Sequence, residues 1–504
     1  PWVTIQLPIY NELYVAERLI RAVSQLDYPR DRLEIQVLDD STDETTGIIA
    51  TLVAELQTRG YHIQHIRRQT RGGFKAGALK HGLTLARGEF IAIFDADFIP
   101  RPDFLQKTLP YFQDPKVGVV QTRWEHLNAE YSFFTQAQAI ALDGYFVVEQ
   151  QARERAGLFI TFNGTGGIWR RHCIEDAGNW REETLAEDLD LSYRAQLRGW
   201  KGRYLVDCPS PAELPSDINA LKAQQFRWAK GTMETARFIL PLLWRSPVPL
   251  PVKLQSTLHL TNGLIFPCII VTSLLHVPLV FLKNHGSYGE FFAIMPVFVL
   301  AFLGSFLFYA LAQKVLYPDW WKRILFLPLF MAGSIGFAVN NTHAIGEALL
   351  KRRSEFVRTP KFCLEGREGE WIDKKYRTAP LPITLYLEAF LALYALLGLV
   401  ILCFFDPSAI PFQLLFVFGF SVVTIASFYH HYQVSRHSSH PSSLLSLREA
   451  GSTDCPGKSG ENHRYSALPQ EPQRLSRQAP FDLRSRVFCA NGYGGKAKGR
   501  SDTR

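Results

Sequence analysis

The chain has 504 residues, more than one ordinary domain holds. It carries 55 Lys and Arg against 47 Asp and Glu, a net charge of +8, yet has no zinc-finger spacing, RNA-binding signature or basic helix. Nucleic acid is therefore not an expected partner, and seven scattered cysteines without a C-x-x-C pair argue against a zinc site or a disulfide framework.

Mean hydropathy near zero averages three regimes. The first half alternates short apolar strands with helices, long apolar runs follow from about Leu254 to Tyr432, and a Ser-, Arg-, Pro- and Gly-rich tail begins after His437. The chain enters an apolar strand directly after Pro1, with no signal peptide or leading membrane helix visible, so a preceding segment is expected. Strands are predicted at Val3–Leu7, Glu34–Leu38, His62–Ile66, Phe90–Phe94 and Val117–Gln121, with helices over Val15–Gln25, Thr42–Thr58 and Lys75–Ala86. This alternation predicts an α/β domain over residues 1–216, built on a doubly wound parallel sheet whose ligands bind beyond the carboxyl ends of its strands.

Acidic clusters stand at two of those ends. Asp39-Asp40-Ser41 follows the second strand and suits either a helix cap or a grip on a ligand. Phe94-Asp95-Ala96-Asp97 closes the fourth, and period-two geometry points Asp95 and Asp97 to one side, which suits either a pair capping a turn or a site for a hard divalent cation such as Mg2+ or Mn2+. Arg71-Gly72-Gly73-Phe74-Lys75 opens a helix, where glycines and a lysine favour a diphosphate as readily as a plain turn. Thr184 and Glu187 are spaced as a capping box, whereas Asp188 is not needed by the box and suits either a general base or a first-turn acid favoured by the helix dipole.

A Pro-rich stretch, Pro209–Pro215, leads into an amphipathic interfacial segment over residues 217–253. It carries Gln224, Arg227 and Trp228, a set that suits sugar stacking and phosphate pairing or membrane anchoring. Candidate spans follow at Thr257–Leu282, Phe291–Leu316, Ile324–Leu350, Pro382–Phe405 and Pro411–Tyr432, giving a membrane domain over 254–432. The loop Lys351–Thr378 holds nine Lys and Arg, which places it in the cytoplasm with the catalytic domain. Three candidate spans before it give the wrong parity. Ile324–Leu350 is the suspect, since Asn340, Asn341, His343 and Glu347 are costly in lipid and suit a re-entrant or interfacial segment. Residues 433–504 are expected to be disordered.

Taken together, these motifs resemble the family 2 glycosyltransferases, particularly the cellulose synthase and cellulose-synthase-like group. The family's D, D-x-D, T/E-D and Q-x-x-R-W series corresponds to Asp40, Asp95 with Asp97, Glu187-Asp188, and Gln224 with Arg227 and Trp228. Pro8–Glu12, Phe74–Leu79, Gln121–Trp124 and Phe162–Thr165 add supporting matches. The resemblance implies a GT-A-type, Rossmann-like catalytic domain followed by an α-helical transmembrane domain. It assigns Tyr10, Glu12, Asp40, Lys75 and Asp95 to the nucleotide sugar, Asp95 and Asp97 to Mg2+ or Mn2+, and Asp188 to the base. Glu187, Gln224, Arg227 and Trp228 go to the acceptor and diphosphate. Phe356–Lys361 resembles a gating loop within 351–380. Ala186 stands where the family often has Thr, and no cyclic-di-GMP-binding domain is apparent.

The function so implied is an inverting, processive synthase of a β-linked hexose polysaccharide, either β-glucan from UDP-glucose or β-mannan from GDP-mannose. The alternative is a non-processive glucosyltransferase acting on a membrane lipid such as diacylglycerol or ceramide. The expected partners are a nucleotide-sugar donor, a growing polysaccharide or lipid acceptor, and the bilayer. The expected location is a plasma or Golgi-type membrane, with the catalytic domain cytoplasmic.

Overall fold

The computed structural model describes residues 1–286, 290, 297–352, 354, 358–368 and 384–438. Seven strands form one sheet in the order β3-β2-β1-β4-β6-β5-β7. They are β1 Val3–Ile9, β2 Leu33–Asp39, β3 Ile63–Ile66, β4 Phe90–Ile93, β5 Val117–His126, β6 Gly167–Arg170 and β7 Lys201–Ala212. The predicted strands are all present. The expected parallel sheet needs correction, however, because β6 runs antiparallel to both β4 and β5.

Helices cover both faces of the sheet: α1 Ala16–Ser24, α2 Thr45–Thr58, α3 Phe74–Leu85, α4 Phe133–Asp143 and α5 Glu187–Leu197. The alternation of β4 shows why. Phe90 and Ala92 join the core with Leu19 and Ile20 of α1 and Leu52 of α2. Ile91 and Ile93 join the opposite core with Leu79 of α3 and Leu191 of α5. A strand buried on both faces reads as a continuous apolar run, and Phe90–Ile93 is fully buried in this way.

This register fixes the site. β1 pairs in parallel with β2 (Ile9 opposite Asp39) and on its other side with β4 (Gln6 opposite Ile93). The segments after β1, β2 and β4 therefore emerge side by side at the point where strand order reverses. Antiparallel β6 brings the turn before it to the same edge, where Thr165 Oγ1 accepts from the Asp95 N–H at 2.9 Å.

Beyond the sheet, α6 (Ile218–Arg245) is capped by Asp217, whose Oδ1 accepts from Ala220 N at 2.7 Å. It falls within the amphipathic segment expected over residues 217–253 and buries Met233, Ala236, Ile239 and Leu243. Then come α7 Leu250–Thr261, α8 Ile265–His285, α9 Val297–Leu316, α10 Leu327–Gly336, α11 Ala338–Leu349, α12 Thr384–Phe405 and α13 Ile410–Ser438. Among the described residues, three helical segments are long and apolar enough to cross a membrane: Leu250–His285, Thr384–Phe405 and Pro407–Tyr432. Leu258, Leu393 and Phe404 stand 67% exposed or more on them, as lipid-facing side chains would. The first residues of the predicted span Phe291–Leu316 lie outside the described ones, as do Phe356, Val357 and residues 439–504.

The suspect span is bent by 43° between Trp320–Gly336 and Ala338–Leu349. Three of its four polar residues turn inward, while His343 is about half exposed. Asn340 and Asn341 are buried, Asn340 Nδ2 donates to Lys222 O of α6 at 3.0 Å, and Glu347 pairs with the buried Lys230 of α6 at 2.8 Å. At the other end Arg323 lies 3.7 Å from Glu130, and Phe326 stacks on Phe133 at 5.7 Å.

Candidate active site

All eleven residues that the sequence reading singled out line one cleft, which encloses about 240 Å³. They come from the ends of β1, β2 and β4 and from the first turns of α3 and α5. The last three share one face of α6, where a spacing of three to four residues aligns Gln224, Arg227 and Trp228. Trp228 remains 37% exposed and so keeps a ring face free for contact.

At the β2 end, Arg68 forks onto Asp40, with Nε donating to Oδ1 at 3.0 Å and Nη2 to Oδ2. The possible helix-cap role of Asp40 is not realised, since α2 begins only at Thr45. Arg71 lies flat over the Tyr10 ring at 3.3 Å. Gly73 precedes α3 with φ +68, a left-handed geometry that glycine adopts without strain, and it sets Lys75 on the first turn. Lys75 Nζ then donates to Asp95 Oδ1 at 2.5 Å and to the Gly164 carbonyl at 3.0 Å. Burial pulls the Lys75 ammonium down, but Asp95, Glu187 and Asp188 more than offset it and leave it raised. Burial raises the Asp95 carboxyl in spite of Lys75.

The expected capping box does not form. α5 starts at Glu187 with Ala186 as its cap, and Thr184 Oγ1 is buried without a hydrogen bond. The cause lies in α6. Glu234 Oε2 accepts from Leu185 N at 3.0 Å, and Gly231 lets α6 sit so close that a Cβ there would lie 2.8 Å from Ala186 Cβ. Glu187 thus has no capping role to explain it. Burial pushes the Asp188 carboxyl up to about 7, with Glu187 repelling its charge and Lys75 opposing the rise. Burial likewise raises Glu187 and lowers Arg227.

The strap after α11 closes over the cleft. Arg358 pairs with Glu12 at 2.9 Å, Thr359 Oγ1 accepts from Arg227 Nη2 at 3.0 Å, and Lys361 pairs with Asp97 at 2.7 Å. Burial pushes Glu12 up to about 8 against the pull of Arg358. Glu213, just past β7, holds the strap by accepting from Phe362 N at 2.8 Å and Leu364 N at 3.2 Å. Lys230 anchors its start through the Arg352 carbonyl at 2.7 Å and Ser354. Sequence reasoning missed Arg68, Glu213 and Lys230, which carry no local motif and gain their roles only from contacts across the fold. Among the described residues Cys173, Cys208, Cys268 and Cys403 are free thiols, whereas Cys363 is disulfide-bonded.

A mixed α/β sheet with carboxylates gathered at the strand-order reversal, followed by apolar helices, makes a GT-A-like α/β domain joined to a helical membrane-type region. Residues 1–231 match the family model described as "Glycosyltransferase like family 2". The chain is 42% identical over 255 residues to a probable glucomannan 4-beta-mannosyltransferase 3 of Oryza sativa subsp. japonica, covering 49% of this chain and 46% of the relative. It is 43% identical over 236 residues to glucomannan 4-beta-mannosyltransferase 2 of Arabidopsis thaliana, covering 46% and 44%. The chain thus spans about half the length of these curated relatives. A solved mannosyltransferase of Pyrobaculum calidifontis, in complex with GDP-Man and Mn2+, is 21% identical with a TM-score of 0.49, covering 70% of this chain and 88% of that one.

Proposed function

We propose that this protein is a membrane-embedded, inverting glycosyltransferase that extends a β-linked hexose polysaccharide, with GDP-mannose as its donor. The observation that carries this reading is the convergence of strand-end carboxylates, Lys75, Asp188 and the Gln224–Trp228 face on one cleft, at the head of a helix leading into apolar helices. The mannosyl donor is favoured by relatives named as glucomannan 4-beta-mannosyltransferases.

In this reading Tyr10, Glu12 and Asp40 hold the nucleotide. Lys75 and Arg227 bring positive charge to the diphosphate, and Trp228 supports the acceptor ring. Asp188 takes the proton from the acceptor hydroxyl. That oxygen bonds to the anomeric carbon as the bond to the diphosphate breaks, so the configuration inverts. Asp95 and Asp97 suit a divalent cation. Among the described residues no cluster of three or more His, Cys, Asp or Glu exists to cage a metal. Magnesium-type sites need only one or two carboxylates when substrate phosphates supply the other oxygens. Each carboxylate is already met by an ammonium, Lys75 or Lys361, which marks both as cation-accepting positions. Such a cation, bound there as Mg2+ or Mn2+, would supply Lewis-acid stabilisation to the leaving diphosphate. Donor entry requires Arg358 and Lys361 to rearrange, which fits a gating role for the strap. The catalytic domain and the basic strap lie on the cytoplasmic side.

The test uses membranes containing the full-length protein, supplied separately with radiolabelled GDP-mannose and UDP-glucose and with magnesium or manganese. Label in ethanol-insoluble, β-mannanase-sensitive material supports the proposal. Label moving into the lipid extract would replace it with glycolipid synthesis, and β-glucanase-sensitive product from UDP-glucose would replace the donor.

A further inference from the structure

β5 ends in Trp124-Glu125-His126, and period-two geometry puts Trp124 and His126 on one face of the strand. Both line the cleft, together with Leu142 and Leu214. In strand order β5 stands on the far side of β4 and β6 from β1 and β2, which carry Tyr10 and Asp40. This part of the cleft is therefore away from the nucleotide residues and is mostly apolar and aromatic. Trp124 is held there edge-on to Phe98 at 5.4 Å and against Phe146 at 5.1 Å.

His126 is the polar exception. Its Nε2 lies 3.2 Å from Asp143 Oδ1, and the other oxygen of Asp143 accepts from Gln313 Nε2 of α9 at 2.9 Å. The side chains of His126 and Asp143 are only 3% and 1% exposed, and Gln313 is fully buried. A carboxylate only accepts, so Nε2 carries the proton and Nδ1 is left as an acceptor. No partner for Nδ1 is present among the described residues. Three buried polar side chains in series cost desolvation that an apolar trio of the same shape would avoid. A bare structural tie between β5, α4 and α9 explains Asp143 and Gln313 but leaves the cleft-lining His126 with one imidazole nitrogen that the tie does not use.

We infer that His126 is an acceptor-binding residue whose Nδ1 receives a hydrogen bond from a hydroxyl of the acceptor sugar. Asp143 and Gln313 fix its tautomer and orientation and tie this part of the cleft to α9. The inference rests on the glycosyl-transfer reading above. It explains how an otherwise apolar aromatic surface, which would stack a sugar in several rotations, selects one.

The test compares wild type with His126→Phe, His126→Gln and Asp143→Asn in the full-length membrane enzyme. Three quantities are measured for each: the KM for a soluble β-linked manno-oligosaccharide acceptor, the KM for GDP-mannose, and acceptor-independent donor hydrolysis. His126→Phe should raise the acceptor KM about 5- to 10-fold, the worth of one lost hydrogen bond. Donor KM and donor hydrolysis should stay within about twofold of wild type. His126→Gln, which keeps an acceptor atom, should recover most of the loss, and Asp143→Asn should fall between. Parallel loss of transfer and hydrolysis in His126→Phe would make the chain of three a structural tie and overturn the inference, as would an unchanged acceptor KM. Wild-type enzyme that uses lipid extract but not the oligosaccharide would overturn the assignment of His126 to an acceptor sugar. Wild-type enzyme that turns over neither donor refutes the transferase reading itself.

Discussion

Asp188 and Glu187 allow the catalytic assignment to be tested through pH. Burial and the neighbouring Glu187 charge place the Asp188 carboxyl at about 7, against an ordinary value of 3.8. A general base works only when ionised. With that value about a tenth of the enzyme is competent at pH 6, half at pH 7 and about nine-tenths at pH 8. kcat/KM should therefore rise with pH along a single-proton limb centred near 7. Burial is the largest cause of the rise and Glu187 the second. Glu187→Gln removes the repulsion and keeps the shape, so the limb should move down by about one pH unit, equivalent to about 1.4 kcal/mol. At pH 6 the variant would then have a severalfold larger ionised fraction, provided Glu187 has no further part in turnover. Asp188→Asn should lose at least about 100-fold at every pH while still binding donor. The assay is label transfer from pH 5.5 to 9, with calorimetric donor binding at each pH to separate binding from chemistry. A limb that stays put in Glu187→Gln, or an Asp188→Asn enzyme turning over near the wild-type rate, would refute the reasoning.

Asp97→Ala should abolish metal-dependent turnover, and a variant that still responds to added manganese or magnesium would remove Asp97 from the metal assignment. Trp228→Ala should reduce polymer elongation more than donor hydrolysis, because its exposed ring touches only the acceptor in the proposed scheme; equal loss of both would make it a structural anchor. Lys222 of α6 pairs with Glu388 of α12 at 2.6 Å, with side chains 5% and 0% exposed. Glu388→Gln leaves a buried ammonium without its counter-charge and should cost about 3–5 kcal/mol, whereas replacing both by Met and Leu should cost far less; detergent melting curves that are indistinguishable for the single variant and wild type would contradict this. Single cysteines placed at Asp319 and Arg352 should react with an impermeant maleimide from the same membrane side as one at Asp114 in the catalytic domain, and opposite sidedness for either would reverse the topology argued below.

The features legible in the sequence were those made by local pattern. Phe90–Ile93 reads as a strand because each residue is apolar and buried, and Asp95 and Asp97 follow it directly. β7 was hidden because Lys201–Ala212 contains Pro209 and Pro211, which suggest a loop. It tolerates them because its pairing with β5 slips in register between Thr122 and Arg123, where Pro209 lies opposite Arg123. β6 has only four residues, and its antiparallel direction is set by partners far away in the chain. The Thr184–Glu187 box failed for a related reason, since Glu234 of α6 captures the Leu185 N–H and seats the turn differently. None of the ion pairs that hold the cleft together is local: Arg358 meets Glu12 and Lys361 meets Asp97 across most of the chain.

The parity conflict in the sequence finds its physical answer in these same contacts. α9 ends beside the catalytic domain, because Gln313 donates to Asp143 of α4. The bent pair that follows begins there, with Arg323 near Glu130 and Phe326 on Phe133. It also finishes there, with Glu347 on Lys230 and the Ala348 carbonyl on Arg237 of α6 at 2.7 Å. A segment whose two ends both touch the catalytic side makes no net crossing, so its Asn and Glu residues need never meet lipid tails. We propose two crossings before the basic strap, Leu250–His285 and α9, of which the shorter apolar stretch Leu303–Leu316 is described. That even number would return Arg358 and Lys361 to Glu12 and Asp97. A third crossing would strand both cations on the far side of the bilayer from the carboxylates they bind.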